Sequence, residues 1–174
     1  MSERIMPAAA AITALLLPAG LAADTSVCTP LTAGFELCDD AWNNARRVEM
    51  SDGVALENDP HWLEVFALPP DLPAEMSLDD LMDMIEAENA GDDGYEPTQF
   101  LGRAAFATAD LNAVTSTSKV DIGAGEMEYM VVALAEAAGR RIIVTLDTGG
   151  DSDAAEMHDQ TRAVVEAIRP ATGG

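Results

Sequence analysis

The thiols of this chain are Cys28 and Cys38, with nine residues between them. That spacing is too long for a CxxC redox pair, and two histidines in the whole chain leave a zinc ribbon short of ligands. In an oxidising compartment two such cysteines pair as a structural staple. Closing so short a loop removes about 2 to 3 kcal/mol of denatured-state freedom. His61 and His158 are the imidazoles. His61 opens a predicted strand beside Asp59 and Pro60, and His158 falls on the apolar stripe of a predicted helix. Acid–base chemistry would require folding to bring one of them beside Glu64 or the acid-rich helix, and nothing in the spacing demands it. Thioethers could carry copper, and Met50, Met76, Met82, Met84, Met127, Met130 and Met157 are available. Met127 and Met130 are three apart on a predicted strand and so face opposite sides, while Met82 and Met84 are about 200° apart around a helix. Core filling is the expected use.

Gly150-Asp151-Ser152, directly after a strand, resembles the serine block of the GDSL-type esterases, where a strand presents a nucleophile on a tight turn. The rest departs from that pattern. In that class the serine lies near the start of the chain and an Asp stands three before the catalytic His; here that position is Ala155, and 22 residues follow Ser152. Ser152 and Asp153 read instead as helix-start residues that satisfy orphan N–H groups. No G-x-S-x-G elbow occurs. Asp147, Asp151 and Asp153 beside two glycines suggest a calcium loop, but an EF-hand register from Asp151 meets Glu156 where Gly is needed and Arg162 where Glu is needed. The sequence therefore assigns no catalytic residue, no metal and no cofactor.

The elements that would position any site come from periodicity. Residues 35–38, 54–56 and 62–68 read as strands, the last closing at Pro69-Pro70. The period then changes. Ser77 and Asp80 resemble a capping box, and Leu78, Leu81, Met82 and Ile85 fall at i, i+3, i+4 and i+7, which predicts an amphipathic helix over 78–89 with Asp79, Asp83 and Glu86 on its outer face. Gly91, Asp92, Asp93, Gly94 and Pro97 mark residues 90–97 as a loop. Four strands are predicted next, at 103–109, 114–122, 128–135 and 140–147. The last two are apolar on both faces, with a hairpin loop of 136–139 between them, and should be central antiparallel neighbours. Ala154, Met157, His158, Thr161, Val164, Val165 and Ile168 trace a second helical stripe, with Asp153 as cap and Pro170 as stop.

Before these elements stands a basic residue, Arg4, then an uncharged run over 8–17, then Pro18, Gly20 and small residues. That order is a secretory signal peptide over residues 1–22, cut after Ala22 or Ala23. The run is half the length needed to cross a bilayer, and no twin arginine precedes it, so a Sec-type route to the periplasm is expected. One domain over 23–170 and a disordered tail of 171–174 follow from the remaining length. The net charge of −22 disfavours nucleic acid and anionic membrane surfaces, and favours a monomer. Residues 48–102 hold fifteen Asp and Glu and no Lys or Arg. Asp79, Asp80, Asp83, Glu86, Asp92 and Asp93 are the candidate interaction surface within that stretch.

Strands, helix, four-strand meander and helix make an α+β arrangement, a mostly antiparallel sheet packed by two main helices. The GFELC start with a Trp shortly after, the apolar strand before the first helix, and the closing hairpin YMVVALAEAAGRRIIVTLD feeding a C-terminal helix resemble the PsbP/Mog1-like α/β/α sandwich. The similarity covers most of the chain after the leader as topology, and it carries no residue motif. It implies an accessory role in a larger assembly. The expected function is a non-catalytic exported domain that binds a protein partner or a small ligand; the alternative is a small periplasmic hydrolase with an unrecognised Ser or carboxylate site.

Overall fold

Among the described residues, period-2 alternation marks the longer strands and gives way to a 3.6-residue period in the helices. A computed structural model describes residues 27–69, 71–73, 75–91, 96–123, 126–147 and 153–171. The leader expected over residues 1–22 and its expected cleavage site lie outside these, as do Asp92, Asp93, the Gly150-Asp151-Ser152 block and residues 172–174. In chain order the elements are β1 (Thr29–Pro30), β2 (Phe35–Leu37), a 3-10 turn (Asp40–Trp42), β3 (Arg46–Glu49), β4 (Gly53–Asn58) and β5 (His61–Ala67). Then come α1 (Leu78–Gly91), β6 (Glu96–Ala107), β7 (Asn112–Gly123), β8 (Glu126–Ala137), β9 (Arg140–Asp147), α2 (Ala154–Ala167) and β10 (Ile168–Pro170).

Seven strands form one antiparallel sheet in the order β3-β4-β5-β9-β8-β7-β6. Two meanders meet at the β5–β9 seam, where Leu63 pairs with Leu146 and Val65 with Val144. The two strands that are apolar on both faces, β8 and β9, do sit inside the sheet as paired neighbours. Their turn is two residues, Ala138 and Gly139, both at positive φ (52° and 73°), the backbone twist that suits a tight hairpin.

Alternation sends even and odd residues to opposite faces. Val132, Leu134 and Val114 meet Leu81 and Met82 of α1 on one face. Ala133, Ala135, Ile142, Val144, Leu63 and Val65 meet Val164 and Val165 of α2 on the other, joined by Phe35, Leu37 and Ile168. The layers are thus helix, sheet, and helix with a small second sheet, β1-β2-β10. This is the α+β, α/β/α sandwich-like class expected. Cys28 and Cys38 are bridged, with Cα atoms 4.2 Å apart. They sit just beyond the Thr29–Leu37 pair of β1 and β2, so the bridge closes the hairpin that carries the small sheet.

Several boundaries differ from the sequence reading, and three of the differences have a clear cause in pairing. β6 begins at Glu96, not Arg103, because its first residues pair with β7 around Lys119 to Asp121, and cross-strand bonding overrides the turn-forming composition there. α2 ends at Ala167, so Ile168 leaves the helical stripe for β10, where it pairs with Leu37. Ala171, placed in the tail, donates its N–H to Gly34 O at 2.9 Å. No helix among the described residues is long and apolar enough to cross a membrane.

Candidate functional site

The acid-rich helix is built as its sequence proposes at the start. Ser77 N–H and Oγ–H both donate to Asp80 Oδ2, at 3.1 and 2.7 Å, and Asp80 N–H donates back to Ser77 Oγ at 3.1 Å. The reciprocal cap satisfies two orphan donors, and these bonds hold the exposed Asp80 carboxyl below its usual range.

Glu86 departs from the expectation. It does not belong to the outer face: it stands on the flank of α1, its side chain 29% exposed, and turns toward the sheet. Arg103 of β6 donates to it through Nε at 2.9 Å and Nη2 at 2.5 Å. Ser116 Oγ–H of β7 adds a third bond at 2.6 Å. Arg103 Nη2 also reaches Asp83 at 2.6 Å. Hydrogen bonding to Arg103 holds the Glu86 carboxyl below its ordinary value despite desolvation, with Ser116 adding to it. The same bonds push the Arg103 guanidinium still higher than usual. Arg103 is the first basic residue after the cation-free stretch of 48–102, and it closes that stretch by fastening α1 to the sheet. On the outer face remain Asp79, Asp80, Asp83, Met84, Ala87 and Glu88, all exposed.

The imidazoles and hydroxyls are spread over both faces. His158 Nε2 lies 3.0 Å from Thr115 Oγ1, and the hydroxyl's single proton goes to Ala104 O at 3.2 Å. This bond is on the α2 face, whereas Ser116, the next residue, serves Glu86 on the α1 face. The sheet separates them, so Ser116 and His158 cannot act on one substrate. Glu64 projects to the face opposite His61 on the same strand. Its oxygens accept from Trp62 Nε1 at 2.9 Å and Thr145 Oγ1 at 3.4 Å. Neither imidazole thus meets Glu64.

Asp153 caps α2 by accepting from Ala155 N–H and Glu156 N–H, both at 2.9 Å, the helix-start role read from the sequence. Among the described residues the grouping that brings three ligand residues together is Cys28, Glu36 and Cys38, whose sulfurs are already spent in the disulfide. Met82 and Met157 are buried, and Met76 and Met130 pack against the smaller core. Met50 is half-buried, and Met84 on α1 is 52% exposed. A cleft of about 370 Å³ at one end of the sheet is walled by Trp62, Glu64, Glu128, Tyr129, Thr145 and Asp147. Its signal in the sequence was the alternation of Trp62 and Glu64 on one face of β5. Lys119 Nζ already lies 5.6 Å from the Tyr129 ring centroid.

This topology recurs in a protein of known structure. The solution structure of cyanobacterial PsbP (CyanoP) from Synechocystis sp. PCC 6803 superposes with a TM-score of 0.55 at 17% identity, covering 79% of this chain and 86% of that one. The fold is PsbP-like. No protein-family model matches the sequence, and no curated protein does either. The PsbP-like fold sets the layers and the sheet order, while the Arg103 fastening and the exposed Met84 are features of this chain's own residues.

Proposed function

We propose that this chain is an exported, non-catalytic accessory protein that docks a basic partner protein on the outer face of α1. The observation that carries this reading is Met84. Its side chain is half in solvent on a helix face whose charged members are carboxylates, with Asp80 one turn before it and Glu88 one turn after. A partner offering a shallow apolar recess ringed by Lys or Arg matches that face. The flexible thioether fills the recess, and the carboxylates of Asp79, Asp80 and Asp83 orient and steer the encounter. The chain's charge of −22 favours cationic partners at long range.

Export to the periplasm rests on the leader of residues 1–22, cut after Ala22 or Ala23, and leaves one domain over 23–170. The Cys28–Cys38 bridge supports an oxidising compartment. The PsbP-like fold, whose members the resemblance associates with helper roles, supports an accessory function.

The test is a photo-crosslinking side chain at Met84, expressed in the native host. The expected product is one protein joined at a basic surface, whose affinity for the purified domain falls about tenfold on Met84→Glu and falls again as salt rises. Crosslinks no more frequent at Met84 than at the exposed Arg169 would remove α1 as the docking face. An intact mass that begins at Met1 would remove export.

A further inference from the structure

Nine Lys and Arg stand against thirty-one Asp and Glu in this chain, so a half-buried arginine that forms no ion pair is out of place. Arg140 is one. It opens β9 directly after the Ala138–Gly139 turn and forms no ion pair among the described residues. Its neighbour Arg141 is fully engaged: it pairs with Glu136 and donates to Pro73 O at 3.2 Å and Met76 O at 2.8 Å. The Arg140 guanidinium instead stands 5.3 Å from the Phe35 ring centroid. Its Nη1 donates to Ala33 O at 3.1 Å and Gly34 O at 2.9 Å. These contacts employ one nitrogen. Nε and Nη2, which share an edge of the guanidinium, donate to no acceptor among the described residues.

Arg140 lines a cleft of about 410 Å³ between the turn at Ala33 and the segment from Leu68 to Leu72, with Ala67, Glu136, Gly139 and Arg141 completing it. A Cβ at Gly139 would meet nothing within 4 Å, so the hairpin tip leaves the cleft open. Glu136 is neutralised by Arg141, which leaves Arg140 as the uncompensated charge. The cleft is a locally positive, mainly aliphatic recess in an acidic molecule.

We infer that this cleft binds a small apolar monocarboxylate. The free guanidinium edge presents two parallel N–H donors, the arrangement that takes both oxygens of a carboxylate. The aliphatic walls remove the ligand's tail from water. An amine is repelled by Arg140, and a compact inorganic anion leaves the Leu68, Pro69 and Leu72 surface without a partner. The site is independent of the α1 face and of any protein docked there.

Titration calorimetry of the purified, disulfide-intact protein with octanoate, and with octanol as the uncharged probe of the same tail, tests the inference. Octanoate is expected to bind, with octanol about tenfold weaker or more. Arg140→Gln should bring octanoate down to the octanol level. Ala67→Phe, which fills the recess and leaves Arg140 in place, should weaken both probes. Because Arg140 also fastens the Gly34 turn, Arg140→Lys serves if the glutamine variant fails to fold: it keeps the charge and loses the paired edge, and a drop in octanoate affinity is expected. Equal binding of the two probes, or unchanged octanoate affinity in the folded arginine variant or in Ala67→Phe, would overturn it.

Discussion

The helices α1 and α2 are equal in length at fourteen residues, both start on a side-chain cap, and both lie on the same sheet; what fastens them differs in kind. Beneath α2 lies a core of nineteen buried residues, reaching from Trp42 and Val54 to Ile168. A polar contact on that side joins His158 to Thr115. Beneath α1 five buried residues suffice, and a charged fastening supplements them, Arg103 gripping Glu86 and Asp83. Apolar packing is indifferent to pH and little affected by moderate salt, whereas an ion pair at the margin of a sheet is sensitive to both. The more weakly packed helix is also the one that carries the exposed Met84 and its carboxylates. The helix proposed for docking and the larger apolar core thus lie on opposite faces of the sheet.

The largest effect that would sharpen this contrast is a truncation on the α2 side. Leu63, fully buried between sheet and α2 layer, should lose about 2 to 5 kcal/mol on Leu63→Ala, read from urea unfolding. A loss below about 1 kcal/mol would mean that this face does not hold the fold.

Next in size is the fastening of α1. Arg103→Gln leaves Glu86 half-buried with no cation and should cost about 1 to 2 kcal/mol. The pH dependence carries the sign. The Glu86 carboxyl is depressed from its ordinary 4.5, so its contribution is fully present above that value and is lost as pH falls through the lower, folded value. Amide exchange in α1 should accelerate in wild type as pH drops below about 4.5 while α2 stays protected. In Arg103→Gln the acceleration should already be present at neutral pH. Equal acid sensitivity of the two helices would break the comparison.

Smallest is the pair of caps. Asp153→Ala removes one acceptor of two N–H groups, and Ser77→Ala removes half of a reciprocal box. Each should cost about 1 kcal/mol. The Ser77 change should fray α1 more visibly in exchange, because less packing lies beneath it to resist.

Local chemistry made much of this legible. The β8–β9 hairpin is two apolar runs around a tight turn, and the α1 box and the Asp153 cap are contacts made within three residues. The disulfide was legible because two cysteines have one way to pair within a chain. β1, β3 and β10 were not, because Thr29–Pro30 and Arg46–Glu49 show no apolar alternation and Ile168 fits the helical period as well as it fits a strand. The start of β6 was hidden for a related reason, since its first residues have turn-forming composition and become strand through pairing with β7.

From its own letters the chain determined its two helices and the longer strands, its acidity, its cysteine pair and its resemblance to a known sandwich, since each depends on neighbours in sequence or on composition. Tertiary structure alone decided the fate of individual charges. Glu86 occupies a helix flank that reads as solvent until β6, seventeen residues later, brings Arg103 beneath it. Arg140 and Arg141 are adjacent letters, yet Arg141 pairs with Glu136 while Arg140 bonds the backbone of the Gly34 turn and forms no ion pair among the described residues. Burial and pairing depend on contacts distant in sequence, and period and propensity do not encode them.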